Sequence, residues 1–203
     1  MIKILDYNCG NINAIRNAFN RLNIKCELIK NLNDFEDASK IILPGVGSFD
    51  SAINKLNISG LRSKLERYVI NKKTPILGIC VGMQIFGKSS IEGKANGLGW
   101  INYRIEKISE EDNSKPLPHM GWNHVKLNKN SIFYNKDFKN AYFYFLHSYC
   151  LNKVEEKDTI TSECTYNHNF KAIVENKNIY GIQFHPEKSH NSGLKILKSF
   201  SEL

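Results

Sequence analysis

Cys80 stands in the segment Gly78-Ile79-Cys80-Val81-Gly82-Met83-Gln84, directly after an apolar run. The form Gly-x-Cys-x-Gly is the thiol counterpart of a Gly-x-Ser-x-Gly nucleophile elbow. Such an elbow is a sharp strand-to-helix turn with strained backbone, and glycines on both sides keep side chains out of the crowded corner. The turn lifts the sulfur above the sheet edge and aims the backbone N–H of Val81 at a developing oxyanion. A thiol nucleophile also needs a base, and the base needs a holder. Of six histidines, His185 is the best candidate, because it ends the apolar run Ile179–Phe184 and is followed by Pro186 and Glu187. A carboxylate two residues on can fold back to hold the imidazole Nδ1–H, which fixes the tautomer and stabilises the imidazolium. Taken singly, these patterns also describe a buried cysteine in a glycine-rich turn and a surface His-Pro-Glu turn. Together they describe cysteine-based acyl transfer.

The elements around these residues must bring them together. Lys3–Asp6, Lys25–Lys30, Lys40–Leu43 and Pro75–Ile79 read as short apolar strands, with a helix over Asn11–Leu22 and another over Leu61–Asn71. A further short helix starts at Gly82. Alternating strands and helices predict a parallel sheet covered on both faces, with chemistry at the carboxyl ends of its strands. The second half is richer in strands: Trp122–Leu127, Ala141–Leu151, Thr159–Tyr166, Lys171–Glu175 and Ile179–Phe184, paired antiparallel. A closing helix spans about Ser189 to Phe200. With no long linker and no internal repeat, the 203 residues are expected to form one domain, 1–203.

Composition narrows the function classes. Five cysteines at irregular spacing, with no CxxC pair, argue against a disulfide framework and against a zinc site. Cysteines other than Cys80 read as small buried hydrophobes. No secretory signal and no membrane-spanning run are visible, so a cytoplasmic protein is expected. The net charge of +8 could suit a nucleic-acid binder, but the lysines are spread along the chain and read better as a solvated surface. No metal or organic cofactor and no nucleic-acid or membrane partner are expected.

The elbow with His185-Pro186-Glu187 resembles the triad of the class I glutamine amidotransferases over nearly the whole chain and in the same order. The resemblance implies a flavodoxin-like α/β fold with a central, mostly parallel sheet, and L-glutamine as substrate. Pro44-Gly45-Val46-Gly47, where most relatives have Pro-Gly-Gly, is similar to the branch serving imidazole glycerol phosphate synthase. So are Pro118–Asn123, the opening Asp6-Tyr7-Asn8 with Gly10-Asn11, and Tyr144–Tyr149. By that resemblance the N–H groups of Val46 and Val81 form the oxyanion hole, with Gly45 and Gly47 easing a peptide flip that completes it. Gln84, Glu92, His147, Ser148 and Tyr149 correspond to positions that hold the amino-acid end of glutamine. Trp122, Asn123, Tyr144 and Lys188 correspond to positions facing the synthase partner. Lys88–Ala95, which contains Glu92, reads as a flexible loop, and Trp122, Tyr144, Tyr149, His119 and His147 could equally be structural. The polar stretch Glu106–Lys115 and Cys9, where relatives often have a small residue, receive no role.

Ammonia released into neutral water becomes ammonium, which has no lone pair. The resemblance therefore implies a separate partner chain, the cyclase barrel of histidine biosynthesis, held as a heterodimer. Two alternatives stay open: a paralogous glutaminase feeding another cyclase-like synthase, such as one forming a sugar amidine, and a cysteine hydrolase that is no amidotransferase.

Overall fold

The computed structural model describes residues 1–110, 115–134, 138 and 141–203. In chain order the elements are β1 (Ile2–Leu5), α1 (Ile12–Arg21), β2 (Cys26–Ile29), β3 (Lys40–Leu43), α2 (Phe49–Ile58), α3 (Arg62–Glu66), β4 (Ile76–Ile79), α4 (Val81–Gln84) and β5 (Ser89–Ser90). They continue as β6 (Tyr103–Lys107), β7 (His119–Lys126), β8 (Tyr142–His147), β9 (Tyr149–Val154), β10 (Ile160–Tyr166), β11 (His168–Asn176), β12 (Ile179–Ile182) and α5 (His190–Ser201).

The sheet runs in the order β2-β1-β3-β4-β12-β11-β10-β7-β8. The pairs from β2 through β12 are parallel, and those beyond are antiparallel. A mostly parallel centre with an antiparallel second half is therefore observed as expected. β1 and β4 are buried along their whole length, and β3 and β12 at all but one residue, because helices cover the sheet, so apolar residues run along them without alternation. Helix α1 starts at Asn11, whose side chain accepts the Ala14 N–H at 3.2 Å, and it buries Ile15, Ala18 and Phe19.

Several elements differ from the sequence expectation. No expectation covered α2, yet it carries ordinary signals: Ser48 caps it through Ser51 N–H, and Phe49, Ala52, Ile53 and Leu56 form one buried stripe. The helix expected over Leu61–Asn71 is α-helical only to Glu66. It then widens into a π-turn, Arg67–Asn71, in which Lys72 N–H reaches back to the Arg67 carbonyl. The single strand expected over Ala141–Leu151 is two strands. Ser148 breaks it, with β8 pairing β7 and β9 pairing β6 and β11. The stretch Lys88–Ala95 is fastened rather than loose. Ser89–Ser90 pairs with β6, and the Asp50 carboxylate accepts the N–H groups of Lys94 and Ala95 at 2.9 and 3.0 Å. Of the polar stretch Glu106–Lys115, residues 111–114 lie outside the described residues.

The neighbours β1, β3, β4 and β12 all point their carboxyl ends the same way. The segments that follow them, 6–11, 44–47, 80–84 and 183–188, therefore meet at one edge of the sheet.

Candidate active site

Cys80 follows β4 at φ +55° and ψ −113°, a left-handed conformation that costs an L residue energy. The turn is held by Cys80 N–H to the Ile182 carbonyl at 2.8 Å, and by its own carbonyl, which accepts from Met83 and Gln84. Gly82 has to be glycine, because a Cβ there would run into the Leu43 carbonyl oxygen. The elbow is thus pressed against the end of β3. Cys80 is almost buried, at 3% exposure. Val81 opens α4, so its N–H has no acceptor within the helix.

β12 and the residues after it supply the base. The side chains of His185 and Glu187 are both buried, and Glu187 Oε1 lies 2.9 Å from His185 Nδ1. This leaves Nε2 for the Cys80 sulfur. Burial by itself pulls the imidazole down. The Cys80 sulfur, by charge and by hydrogen bonding, and then Glu187 outweigh burial and raise His185 to about 10. The ring therefore holds its proton more tightly than a free imidazole does.

Cys80 and His185 open onto a cavity of roughly 680 Å³, which Val46, Val81, Gln84, Glu92, Ser148 and Tyr149 also line. That volume suits a small polar metabolite. The geometry adjusts several expected roles. Val46 N–H does not point at the cavity: it donates to the Cys9 sulfur at 3.4 Å. Glu92 Oε2 accepts the Phe49 N–H at 2.9 Å, so this carboxylate anchors the start of α2 while facing the cavity. Gln84 donates its amide N–H groups to the Tyr149 carbonyl and to Gln183 Oε1, both at 3.0 Å.

His147 also lines the cavity, but both ring nitrogens are engaged. Nδ1 is 2.9 Å from the Tyr149 carbonyl, so it carries the proton, and Nε2 is 3.0 Å from His119 Nδ1. Burial first lowers His147 to about 3, and burial then Lys115 lower His119 to about 4, so both rings are neutral. With its nitrogens taken, His147 offers a ligand ring surface rather than a polar contact.

These features have counterparts in known proteins. A sequence model of the family described as glutamine amidotransferase class-I matches residues 3–202. The chain belongs to the class-I glutamine amidotransferase family. The amidotransferase is thus a glutamine-hydrolysing enzyme of a family that works through a cysteine nucleophile. It is 46% identical over 205 residues to a protein of Leptospira borgpetersenii named imidazole glycerol phosphate synthase subunit HisH, with 100% of both chains covered. A protein of the same name from Bdellovibrio bacteriovorus is 44% identical over 205 residues, again with 100% of both chains covered. Among solved structures, one titled as a glutamine amidotransferase superposes with a TM-score of 0.77 at 14% identity, covering 99% of this chain and 97% of that one. The structure of PurLQS from Thermotoga maritima gives 0.73 at 17% identity, with the same coverage. At those identities the structures speak for the fold alone.

Two residues of the amidotransferase escaped the sequence reading. Gln183 is fully buried and directs its amide N–H to the Cys80 sulfur at 3.6 Å. A signal existed: in an extended run, residues 183 and 185 share a face. Ser189, also fully buried, donates its hydroxyl to the His185 carbonyl at 2.6 Å and accepts the Tyr144 N–H at 2.9 Å. Since His185 N–H donates to the Tyr144 carbonyl at 2.9 Å, the base is tied directly to β8.

The outer face of the β7–β8 ribbon is unusually apolar. Met120 is paired with Leu146 and Trp122 with Tyr144, and Met120, Trp122 and Leu146 are all exposed. Lys188 lies over the Tyr144 ring at 5.3 Å, and Trp122 stacks on His190 at 5.0 Å. Trp122, Tyr144 and Lys188 thus cluster beside the cavity mouth. Asn123 does not join them. It points through the other face of β7, with its amide on His119 Nε2 and the Thr165 carbonyl. Among the described residues, no group of three or more His, Cys, Asp or Glu is placed to hold a metal ion, and no helix is long and apolar enough to cross a membrane.

Proposed function

We propose that this chain is the glutaminase subunit of an imidazole glycerol phosphate synthase, acting over 1–203 as one domain in the cytoplasm. The observation that carries the reading is the buried Cys80–His185–Glu187 constellation opening on a small-molecule cavity. The relatives that share 44–46% of the sequence over their full length point to the pathway.

In this reading the Cys80 sulfur attacks the amide carbon of glutamine. The imidazolium of His185 gives its proton to the departing ammonia, and the neutral ring then takes a proton from the water that hydrolyses the γ-glutamyl thioester. Glu187 holds the ring and its charge throughout. Val81 N–H, joined by Val46 N–H once it turns from Cys9, receives the tetrahedral oxyanion, each such donor being worth about 3–4 kcal/mol. Gln84, Glu92, Ser148 and Tyr149 shape the cavity around the amino-acid end, and His147 supplies a wall.

The partner is a separate cyclase chain seated on the Met120–Trp122–Leu146 face, next to Tyr144 and Lys188. Aromatic residues in an exposed apolar row are the usual anchors of such an interface. Because the Tyr144 backbone is hydrogen-bonded to the His185 N–H and to the Ser189 hydroxyl, a chain seated on β8 would act on the base through these two bonds. The test is reconstitution with a cyclase subunit. Imidazole glycerol phosphate should form from glutamine, and glutamate release should rise when the cyclase and its ribotide substrate are added. Glutamate release that no cyclase stimulates would refute the pathway, and no release at all would refute the site.

A further inference from the structure

Gln183 stands two residues before His185 and sends its side chain to the same sulfur. It is fully buried, its backbone N–H is held by the Ala172 carbonyl at 2.8 Å, and its Nε2 lies 3.6 Å from Cys80 Sγ. Which end of the amide meets the sulfur is dictated by its neighbours. The Tyr149 carbonyl can only accept, so Gln84, 3.0 Å away, must turn its NH₂ toward it. The same NH₂ lies 3.0 Å from the near end of the Gln183 amide, which must therefore be the oxygen. The NH₂ of Gln183 is left for the sulfur. We propose that Gln183 is a further catalytic residue, a fixed N–H donor that stabilises the Cys80 sulfur whenever it carries negative charge. The proposal rests on reading the cavity as a glutaminase site.

The amide does what His185 cannot. In the glutaminase reading the imidazolium gives its proton to the departing ammonia, so its bond to the sulfur is interrupted in every turnover. An amide N–H is never given up, and its bond persists. The sulfur is anionic at two points: before it attacks the amide carbon, and when the thioester carbon–sulfur bond breaks after water has added. At the second point the electron pair of that bond returns to sulfur, and a hydrogen-bond donor lowers the cost of holding it. A stabilised thiolate forms more readily and leaves more readily, and it is a weaker nucleophile. Burial strengthens the contact, because the bond is made in a medium of low dielectric. Gln183 does not line the cavity, so its effect reaches the reaction through the sulfur and not through the glutamine.

The experiment compares the full wild-type chain with Gln183→Met, which has a similar length and no N–H. Cys80 is alkylated with iodoacetamide across a pH series, and the rate is read at its peptide by mass spectrometry. The pH midpoint of alkylation should rise by about 0.5–1 unit, roughly half of what a donor to a charged oxygen is worth. The other titratable groups around the sulfur are the same in both proteins: His185 with Glu187, Tyr7 from the loop after β1, and Glu92, His147, Tyr149 and Lys188 around the cavity. The second readout is made with a purified cyclase chain and its ribotide substrate, at a pH above both midpoints. A γ-glutamyl thioester formed from labelled glutamine and chased with unlabelled glutamine should hydrolyse about two- to threefold more slowly in the variant, while kcat/KM does not fall. A merely structural Gln183 would lower the melting temperature and move neither readout. If Gln183→Met does not fold, Gln183→Leu carries the same expectation. The wild type alone gives a third readout: the side-chain amide proton of Gln183 should move downfield in NMR through the midpoint of alkylation, and no movement overturns the donor. An unmoved or lowered midpoint in the folded variant, or thioester hydrolysis as fast as in wild type, also overturns it. Absence of a thioester in the wild type with its partner would sink the site reading and the donor together. A wild-type thioester beside an unshifted Gln183→Met refutes the donor alone.

Discussion

Replacing Glu187 by glutamine isolates the charge of the triad from its shape. The carboxylate is buried, its Oε1 is 2.9 Å from His185 Nδ1, and its Oε2 has no hydrogen-bond partner among the described residues. The ionic contact with His185 is therefore its main compensation. The Glu187→Gln variant keeps the volume and loses the charge, and its amide N–H₂ would favour the wrong imidazole tautomer. A hydrogen bond to a charged group is worth about 1.5–3 kcal/mol. At about 1.4 kcal/mol per tenfold, kcat should fall about 10- to 150-fold. Folding should change far less, because glutamine fills the same volume and no longer buries a full negative charge. The melting temperature should stay within about 4 °C, equivalent to roughly 1 kcal/mol for a chain of this size. The assay is initial-rate glutamate release with the partner present, beside a thermal melt. A kcat within twofold of wild type, with an unaltered melt, would refute the argument that the carboxylate holds the charged base.

Four further outcomes are expected. Gly82→Ala should destabilise the protein by more than about 2 kcal/mol in a denaturant melt, since the added Cβ meets the Leu43 carbonyl and not a movable side chain. Trp122→Ala should weaken cyclase binding by about 2 kcal/mol or more in calorimetry, while glutamate release without partner stays within twofold of wild type. Lys188→Ala, which removes the cation over Tyr144, should reduce the stimulated rate more than the unstimulated one; equal losses would contradict its place at the interface. Because His185 is raised from 6.5 to about 10 in the folded chain, its contribution to stability is complete below pH 6.5. It is lost as pH rises toward 10. Wild type should thus lose stability over that window more steeply than Cys80→Ala, as read from urea midpoints.

Much of the architecture was legible because it is written in local pattern. Lys40–Leu43 is a strand with the bounds its apolar run suggests, and β4 is apolar because both sheet faces are covered. The residues that could do chemistry were legible for a related reason. Cys80 and His185 stand at strand ends, where a glycine-flanked turn and a proline interrupt the apolar pattern. What was not legible depends on partners distant in sequence. Gln183 sits beside Cys80 across 103 positions, and Cys9 reaches Val46 across 37. Nothing near Cys9 in the chain announces that contact. Glu92 has a double task that its neighbours do not reveal, since Phe49 is 43 residues away. The break at Ser148 was invisible because residues on both sides favour strands. Only the sheet topology requires the chain to leave β7 and join β6 there. Asn123 was grouped with Trp122 by the family resemblance, whereas alternation along β7 sends its side chain to the opposite face.

The central claim is that Cys80 is the atom that bonds to glutamine carbon. Acid quenching of the protein with glutamine and its cyclase partner, followed by peptide mass spectrometry, measures this directly. The account predicts a γ-glutamyl adduct on the peptide holding Cys80, and its absence in Cys80→Ala. An adduct on Cys9 or another cysteine, or glutamate release sustained by Cys80→Ala, would contradict it.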